Sequence, residues 1–188
     1  FISYPRTSYQ KLPPALNYKK IIEKLKSNTN YKEICSELLN KKLTPNEGKK
    51  SDPAHPAIYP SGEFASTEGK HFRLYDLIVR RFLSTFGENA KKQTNHIDID
   101  VNNELFSVSG TVTLEKGWLN YYGRYAKSKD VELPKYKEGE EIKVKEIKVE
   151  NKETQPPKRY SPASIIKELD KKVLGTKSTR AAIIDALY

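Results

Sequence analysis

Leu74-Tyr-Asp-Leu-Ile-Val-Arg-Arg-Phe-Leu-Ser-Thr-Phe-Gly87 is followed a short way on by His96-Ile-Asp-Ile-Asp-Val101, and between the two the spacing of apolar residues changes. Apolar residues every three or four positions line one side of an α-helix, whereas strict alternation lines one face of a strand. The first spacing predicts an amphipathic helix over Ser66–Phe86, with Leu74, Leu77, Ile78, Phe82 and Leu83 on one stripe and Gly87 closing it. The second predicts an antiparallel β segment with one wet face, made of His96–Val101, Phe106–Leu114 and Ile142–Val149, with a turn at Asn102-Asn103. The fold class is therefore α+β, with the two kinds of structure in separate parts of the chain.

Toward the N-terminus the pattern is helical from Leu12 to Leu43. Pro13 and Pro14 suit a helix start, Leu16, Ile21, Ile22 and Leu25 share a face, Ser27-Asn-Thr-Asn30 breaks the run, and a second helix follows through Ile34, Leu38 and Leu39. With the helix after them, this pair is compatible with a helix-turn-helix or winged-helix-like unit. Toward the C-terminus, Lys152 to Lys158 with Gln155-Pro-Pro157 reads as a linker. Ser161-Pro162 then opens a helix in N-cap and N1 fashion, with Ile165, Ile166 and Leu169 inward, and Leu174-Gly-Thr ends it. Ser178 or Thr179 caps a last helix running through Ile183 to Leu187. Three domains are expected: a mainly helical one over 1–87, an antiparallel β segment over 88–157 and a helical segment over 158–188.

The 188 residues carry a formal charge of +10, distributed unevenly. Residues 1–60 hold an excess of +6 and residues 158–188 an excess of +4, while the stretch between sums to zero. A basic excess confined to the two ends is what a polyanion lying between them selects. No apolar run is long enough to cross a bilayer and no secretory signal pattern is present. The lone Cys35 has no intramolecular partner and sits among apolar residues, as a small buried hydrophobe in a reducing cytoplasm does. The three histidines lack metal-ligand spacing, so no metal site is expected in this chain. Asp98-x-Asp100 resembles a magnesium pair but reads as the polar side of a strand, because neither a second acidic cluster nor a phosphate loop follows. The sequence opens on Phe1 and contains no methionine, so the chain is expected to be a piece of a longer protein.

Four stretches carry candidate chemistry. In Phe1-Ile-Ser-Tyr-Pro-Arg-Thr-Ser-Tyr-Gln-Lys11, Pro5 biases Tyr4 to an extended backbone, in which residues two apart face the same side, so Tyr4 and Arg6 project together. A phenol with a pKa near ~10 needs a neighbour to lower that value or take its proton before it attacks anything. The Arg6 guanidinium supplies charge and a planar fork of donors that suits a phosphodiester; Thr7 and Ser8 add hydroxyls and Lys11 a second cation. In Ser51-Asp-Pro-Ala-His-Pro-Ala-Ile-Tyr-Pro-Ser-Gly62, prolines on both sides hold His55 in a near-rigid extended segment. Arg80 and Arg81 read as the solvent face of their helix. Lys177, Ser178, Thr179 and Arg180, at the start of the last helix, combine free amides with cations and suit a phosphate. Lys116-Gly-Trp-Leu-Asn-Tyr-Tyr-Gly-Arg-Tyr125 is rich in aromatics, which can stack bases or cap a small sheet.

Ile2-Ser-Tyr-Pro-Arg-Thr-Ser8, Asp52-Pro-Ala-His-Pro-Ala-Ile-Tyr-Pro60, Leu74-Tyr-Asp-Leu-Ile-Val-Arg-Arg-Phe82 and Arg159-Tyr-Ser-Pro-Ala-Ser-Ile-Ile-Lys-Glu-Leu169, running on into Leu174-Gly-Thr-Lys-Ser-Thr-Arg180, together resemble the type IA DNA topoisomerases, in the order found there. The version here is most similar to the archaeal enzymes, with Tyr9 where a small polar residue is usual. The resemblance implies that Tyr4 attacks one DNA strand to leave a 5′-phosphotyrosyl link and a free 3′-hydroxyl. A second strand then passes and the break is resealed without ATP. Arg6 would stabilise the phosphate, His55 would support the site, and Thr7, Ser8, Lys11, Lys177, Ser178, Thr179 and Arg180 would contact single-stranded DNA. The β segment would be the arch framing the DNA hole, which favours packing over base stacking for the aromatic stretch. Mg2+ would be bound by an N-terminal module of the same enzyme that this sequence lacks, so the isolated chain is expected to bind DNA but not to relax it, in the cytoplasm at the nucleoid. The alternatives are a non-enzymatic single-stranded DNA-binding module, which leaves Tyr4-Pro-Arg6 without a role, and the topoisomerase half of a reverse gyrase.

Overall fold

A computed structural model of the chain describes residues 1–13, 15–50, 55–64 and 68–186. Pro14, Pro53 with its neighbours Asp52 and Ala54, the helix start expected at Ser66 and Thr67, and the expected helix end at Leu187 lie outside the described residues. The chain divides into two compact units, Phe1–Leu133 and Pro134–Tyr188.

In the first unit, α1 (Tyr18–Leu25) and α2 (Lys32–Leu39) form the expected helix pair. The first helix starts at Asn17 rather than at the prolines: the Asn17 side chain accepts the Lys20 N–H, satisfying a donor that Pro13 would have left to solvent. Ile21, Ile22 and Leu25 of α1 and Cys35 and Leu38 of α2 are buried, as their shared spacing predicts. Burial pushes the Cys35 thiol up to about 12, so it is a packing residue rather than a reactive one.

α3 (Gly69–Ser84) completes the core, but with its face turned from the expected stripe. Tyr75, Val79, Phe82 and Leu83 are buried with Phe86 just beyond, while Leu74 is 56% exposed and Leu77 and Ile78 are half-buried. The rotation brings Asp76 inside at 1% exposure, because a ring of donors replaces the water its carboxylate would otherwise need. Gly87 acts by its smallness: a Cβ there would lie 2.8 Å from the Trp118 Cα. That close approach seats α4 (Trp118–Tyr122) against α3 and buries Tyr121.

The alternating segments form a long ribbon of β1 (Lys91–Val101) and β2 (Glu104–Glu115), antiparallel, with Ile97 opposite Val108 and Ile99 opposite Phe106. Asn102 and Asn103, both at positive φ, make the expected two-residue turn, and the Asp100 carboxylate accepts the Asn103 N–H. Residues 128–133 return along β2: the Val131 N–H donates to the Thr111 carbonyl at 2.9 Å, and Asp130 accepts from both the backbone and the hydroxyl of Thr113. Gly110 permits this, since a Cβ would stand 2.5 Å from the Val131 carbonyl oxygen.

The strand expected at Ile142–Val149 does not form. This stretch belongs to the second unit and runs without ladder bonds among the described residues, with Val144 50% and Val149 88% exposed. Alternation defines a face, but a strand also needs a neighbour to take its N–H and C=O groups. Two helices follow, α5 (Pro162–Lys171) and α6 (Arg180–Asp185). Ser161 caps α5 in a reciprocal box with Ser164, as Ser161-Pro162 predicts. Thr179 stands at the start of α6 but does not cap it; its hydroxyl instead accepts the Thr176 N–H at 2.9 Å.

Candidate active site

The segment carrying Tyr4 is laid between two others. At its start the Ser3 N–H donates to the Tyr59 carbonyl at 2.9 Å and the Ser3 hydroxyl accepts the Tyr59 N–H at 3.0 Å, while Ile2 bridges Pro60. Further on, the Thr7 hydroxyl donates to the His55 carbonyl at 2.9 Å and accepts the Tyr9 N–H at 3.0 Å, and the Lys11 carbonyl takes the Ala57 N–H at 2.8 Å. Tyr4 is therefore pinned on both sides through the backbone, with its own side chain 60% exposed. Exposed Arg6 and half-buried Thr7 follow it, and Ser8 and Lys11 are exposed as well. The segments of Tyr4 and His55, far apart in sequence, are brought into contact, and the His55 ring stacks on Tyr9 with centroids 6.3 Å apart. Thr7 thus has a structural part: its hydroxyl ties the two segments together.

The second group of expected site residues lies in the other unit. Arg180 is 8% exposed and turned inward: it pairs with Asp170, and its Nε and Nη2 donate to the Leu174 and Gly175 carbonyls at 2.9 and 3.0 Å. It thereby satisfies carbonyls left open after α5. The Thr176 hydroxyl meets those of Ser178 and Thr179, each at 3.1 Å, so this turn is shaped by its own side chains.

Two features of the first unit do not follow from the sequence pattern. The first is the ring of donors around Asp76. Tyr31 and Tyr125 donate their hydroxyls at 3.1 and 2.8 Å, Arg80 its Nε at 3.0 Å and Arg124 an Nη at 2.7 Å. Burial raises the Asp76 pKa, but the bonds from Tyr125 and Arg124, the Arg80 charge and the Tyr31 hydroxyl outweigh it and hold the carboxyl below the ordinary aspartate value. Asp76 and Arg80 stand four apart on α3, the one signal of this pair that the sequence carried. The second feature is a cleft of about 280 Å³ between Gln10 and Leu12, Asn46–Gly48, Ala57–Ile58 and the C-terminal end of α3 with Thr85. Gln10 and Gly48 pair through their backbones, the Leu12 N–H donates to Glu47 at 2.6 Å, and the Asn46 N–H donates to the Thr85 carbonyl at 2.7 Å. Burial, and then the Glu47 carboxylate nearby, push the Tyr18 hydroxyl above its ordinary pKa.

The aromatic stretch after the ribbon packs. Tyr121 is buried and donates to Glu37 at 2.6 Å; Arg81 is exposed, as expected, and lies over the rings of Trp118 and Tyr122, whereas Arg80, also expected on the solvent face, is turned in to Asp76. Among the described residues no group of three or more His, Cys, Asp or Glu is gathered for a metal, and Asp98 is engaged with Ser107 and His96 across the ribbon. These residues do not fit a magnesium site. No helix among the described residues is long and apolar enough to cross a membrane.

A family-wide sequence profile described as DNA topoisomerase matches residues 1–188. The chain is similar to a protein named DNA topoisomerase 1 of Pyrococcus furiosus, 48% identical over 190 residues, covering 99% of this chain and 18% of that protein. It is also similar to DNA topoisomerase 1 of Methanocaldococcus jannaschii, 47% identical, with 99% of this chain and 25% of the relative covered. A protein named DNA topoisomerase 3 of Caenorhabditis elegans is 33% identical over 189 residues, with 100% and 25% covered. The chain thus spans 18–25% of the length of these relatives.

Proposed function

The chain belongs to the type IA DNA topoisomerase family, and we propose that it is the part of such an enzyme that supplies the nucleophile. The observation that carries this is the exposed Tyr4 phenol on a segment held at Ser3 and at Thr7. A nucleophile anchored through its backbone loses little freedom when it meets a phosphodiester. In the proposed step, the Tyr4 oxygen gives up its proton and bonds to phosphorus, the P–O3′ bond breaks, and the departing 3′ oxygen takes a proton. The product is a 5′-phosphotyrosyl link, reversed by attack of the same 3′-hydroxyl. Arg6 faces the charge on the phosphate, and His55, laid beside the segment by Thr7, supports the site. Single-stranded DNA is the proposed substrate, contacted by Ser8 and Lys11 here and by Lys177, Ser178 and Thr179 in the other unit, with Arg180 holding that turn in shape.

Magnesium supplies charge for phosphoryl chemistry, and its ligands are proposed to come from the remainder of the enzyme, which is also the chain's protein partner. The working division is a nucleophile-bearing, winged-helix-like domain over 1–87, an arch over 88–157 and a DNA-contacting helical segment over 158–188, at the nucleoid. The test is covalent trapping. This chain, the remaining part of the enzyme, magnesium and a labelled single-stranded oligonucleotide are mixed, quenched with denaturant and mapped by peptide mass. An adduct on Tyr4 that vanishes in Tyr4→Phe is expected; an adduct that persists in that variant overturns the assignment.

A further inference from the structure

The Thr7 hydroxyl joins two residues whose rings lie together. It accepts the Tyr9 N–H at 3.0 Å and donates to the His55 carbonyl at 2.9 Å, so one oxygen sets the backbones of Tyr9 and His55 side by side. The same two segments meet again just beyond the pair, where the Ala57 N–H reaches the Lys11 carbonyl at 2.8 Å. These bonds fix where the His55 backbone stands and leave the direction of its imidazole to two side-chain torsions, the second of which has a broad minimum. Against that imidazole lies the half-buried Tyr9 ring, with centroids 6.3 Å apart and planes 21° from parallel, within the range of an offset stack. An exposed imidazole laid on such a face cannot turn about its second torsion without giving up the contact. Tyrosine suits the task, because its own ring is fixed by only two torsions and little freedom is lost in holding it.

We propose that Tyr9 is a positioning residue for His55: its ring holds the imidazole in the plane from which His55 supports the phosphate attacked by Tyr4. This rests on the reading of Tyr4 as the nucleophile and of His55 as part of its site. A hydrogen bond from a ring N–H weakens steeply as its angle departs from linear, so an imidazole that swings is a poorer partner for a phosphate oxygen than one held in plane. Small misplacements of a supporting group are enough to slow the chemistry by large factors. Thr7 and Tyr9 have separate parts in this arrangement: the hydroxyl sets the His55 backbone and the aromatic face sets its ring. Tyr9 acts through His55 and takes no part of its own in the bond changes.

The test keeps or removes the flat face. In the trapping mixture, formation of the Tyr4 adduct is timed for the parent, Tyr9→Phe and Tyr9→Leu, each also in a His55→Gln background. Phenylalanine keeps the face, whereas leucine keeps much of the apolar volume without it. Tyr9→Leu is expected to slow the adduct about fivefold or more while Tyr9→Phe keeps the parent rate. The leucine effect is expected to vanish in His55→Gln, because a residue that acts through another has nothing to add once that one is gone. The ring-proton NMR signals of His55 in this chain, assigned among its three histidines by their loss in His55→Gln, give a second reading. They are expected to move in Tyr9→Leu, where the ring current of Tyr9 is gone, and to stay near the parent position in Tyr9→Phe. A His55 signal unmoved in Tyr9→Leu, a phenylalanine variant as slow as the leucine one, or a leucine effect undiminished without His55 overturns the proposal. If the parent forms no adduct on Tyr4, the cleavage reading falls and this role falls with it. If the parent forms the adduct and both Tyr9 variants match it, the cleavage reading stands and this role alone falls.

Discussion

Asp76 shows how much one side chain can hold together. Its carboxylate joins Tyr31 before α2, Arg80 on α3, and Arg124 and Tyr125 after α4, so it ties the helical core to the foot of the ribbon. Asp76→Asn keeps the shape but removes the charge and sets amide hydrogens against the donors, and the expected loss is on the order of 3 kcal/mol, read from urea midpoints at pH 7. The pH dependence follows from the depressed pKa. The stabilisation is fully present above the unfolded value near ~3.9 and is lost as pH falls through the lower folded value. The gap between parent and variant should therefore narrow below about pH 4; a gap that stays constant into strong acid would show that the charge is not what stabilises. Only the four-residue spacing of Asp76 and Arg80 on α3 was legible in the sequence. Burial of the carboxylate depends also on donors from two distant places, Tyr31 and the Arg124–Tyr125 pair, and no local pattern encodes their meeting.

For helices and strands, local rules carried far. Ser161-Pro162, Asn102-Asn103 and the Ile21, Ile22, Leu25 face behave as their spacing and capping chemistry require. The failures came where an element depends on its neighbour. α3 is turned so that Tyr75 and Val79 face inward in place of Leu74, because packing against Tyr31 and Tyr121 decides among several apolar positions. The alternating Ile142–Val149 has no ladder partner for its backbone among the described residues. Gly110, unremarkable in an alternating strand, turns out to admit the returning segment 128–133. Gly110→Ala is expected to push that segment off, giving about tenfold or faster amide exchange at Val131 while the β1–β2 pairs stay protected. Unchanged exchange at Val131 would mean that the segment is held by Asp130 and Thr113 alone.

Taken whole, the chain is basic at its two ends and spans 18–25% of the three relatives named above. Its binding to a single-stranded oligonucleotide is expected to weaken about tenfold or more between roughly 50 and 200 mM salt, as counterions released by the phosphates compete back. The same preparation is expected not to relax supercoiled plasmid, whereas relaxation by this chain alone would show that it holds the complete reaction centre. The family, the α+β class and the identity of the candidate nucleophile could all be read along the chain, because motif order, hydrophobic period and residue chemistry are local properties. The closeness of His55 to the Tyr4 segment, the inward turn of Arg180, the buried Asp76 and the cleft at Glu47 were decided only by folding. Each depends on which groups along the chain come to satisfy one another in the folded state, and no spacing along a chain states which groups will meet.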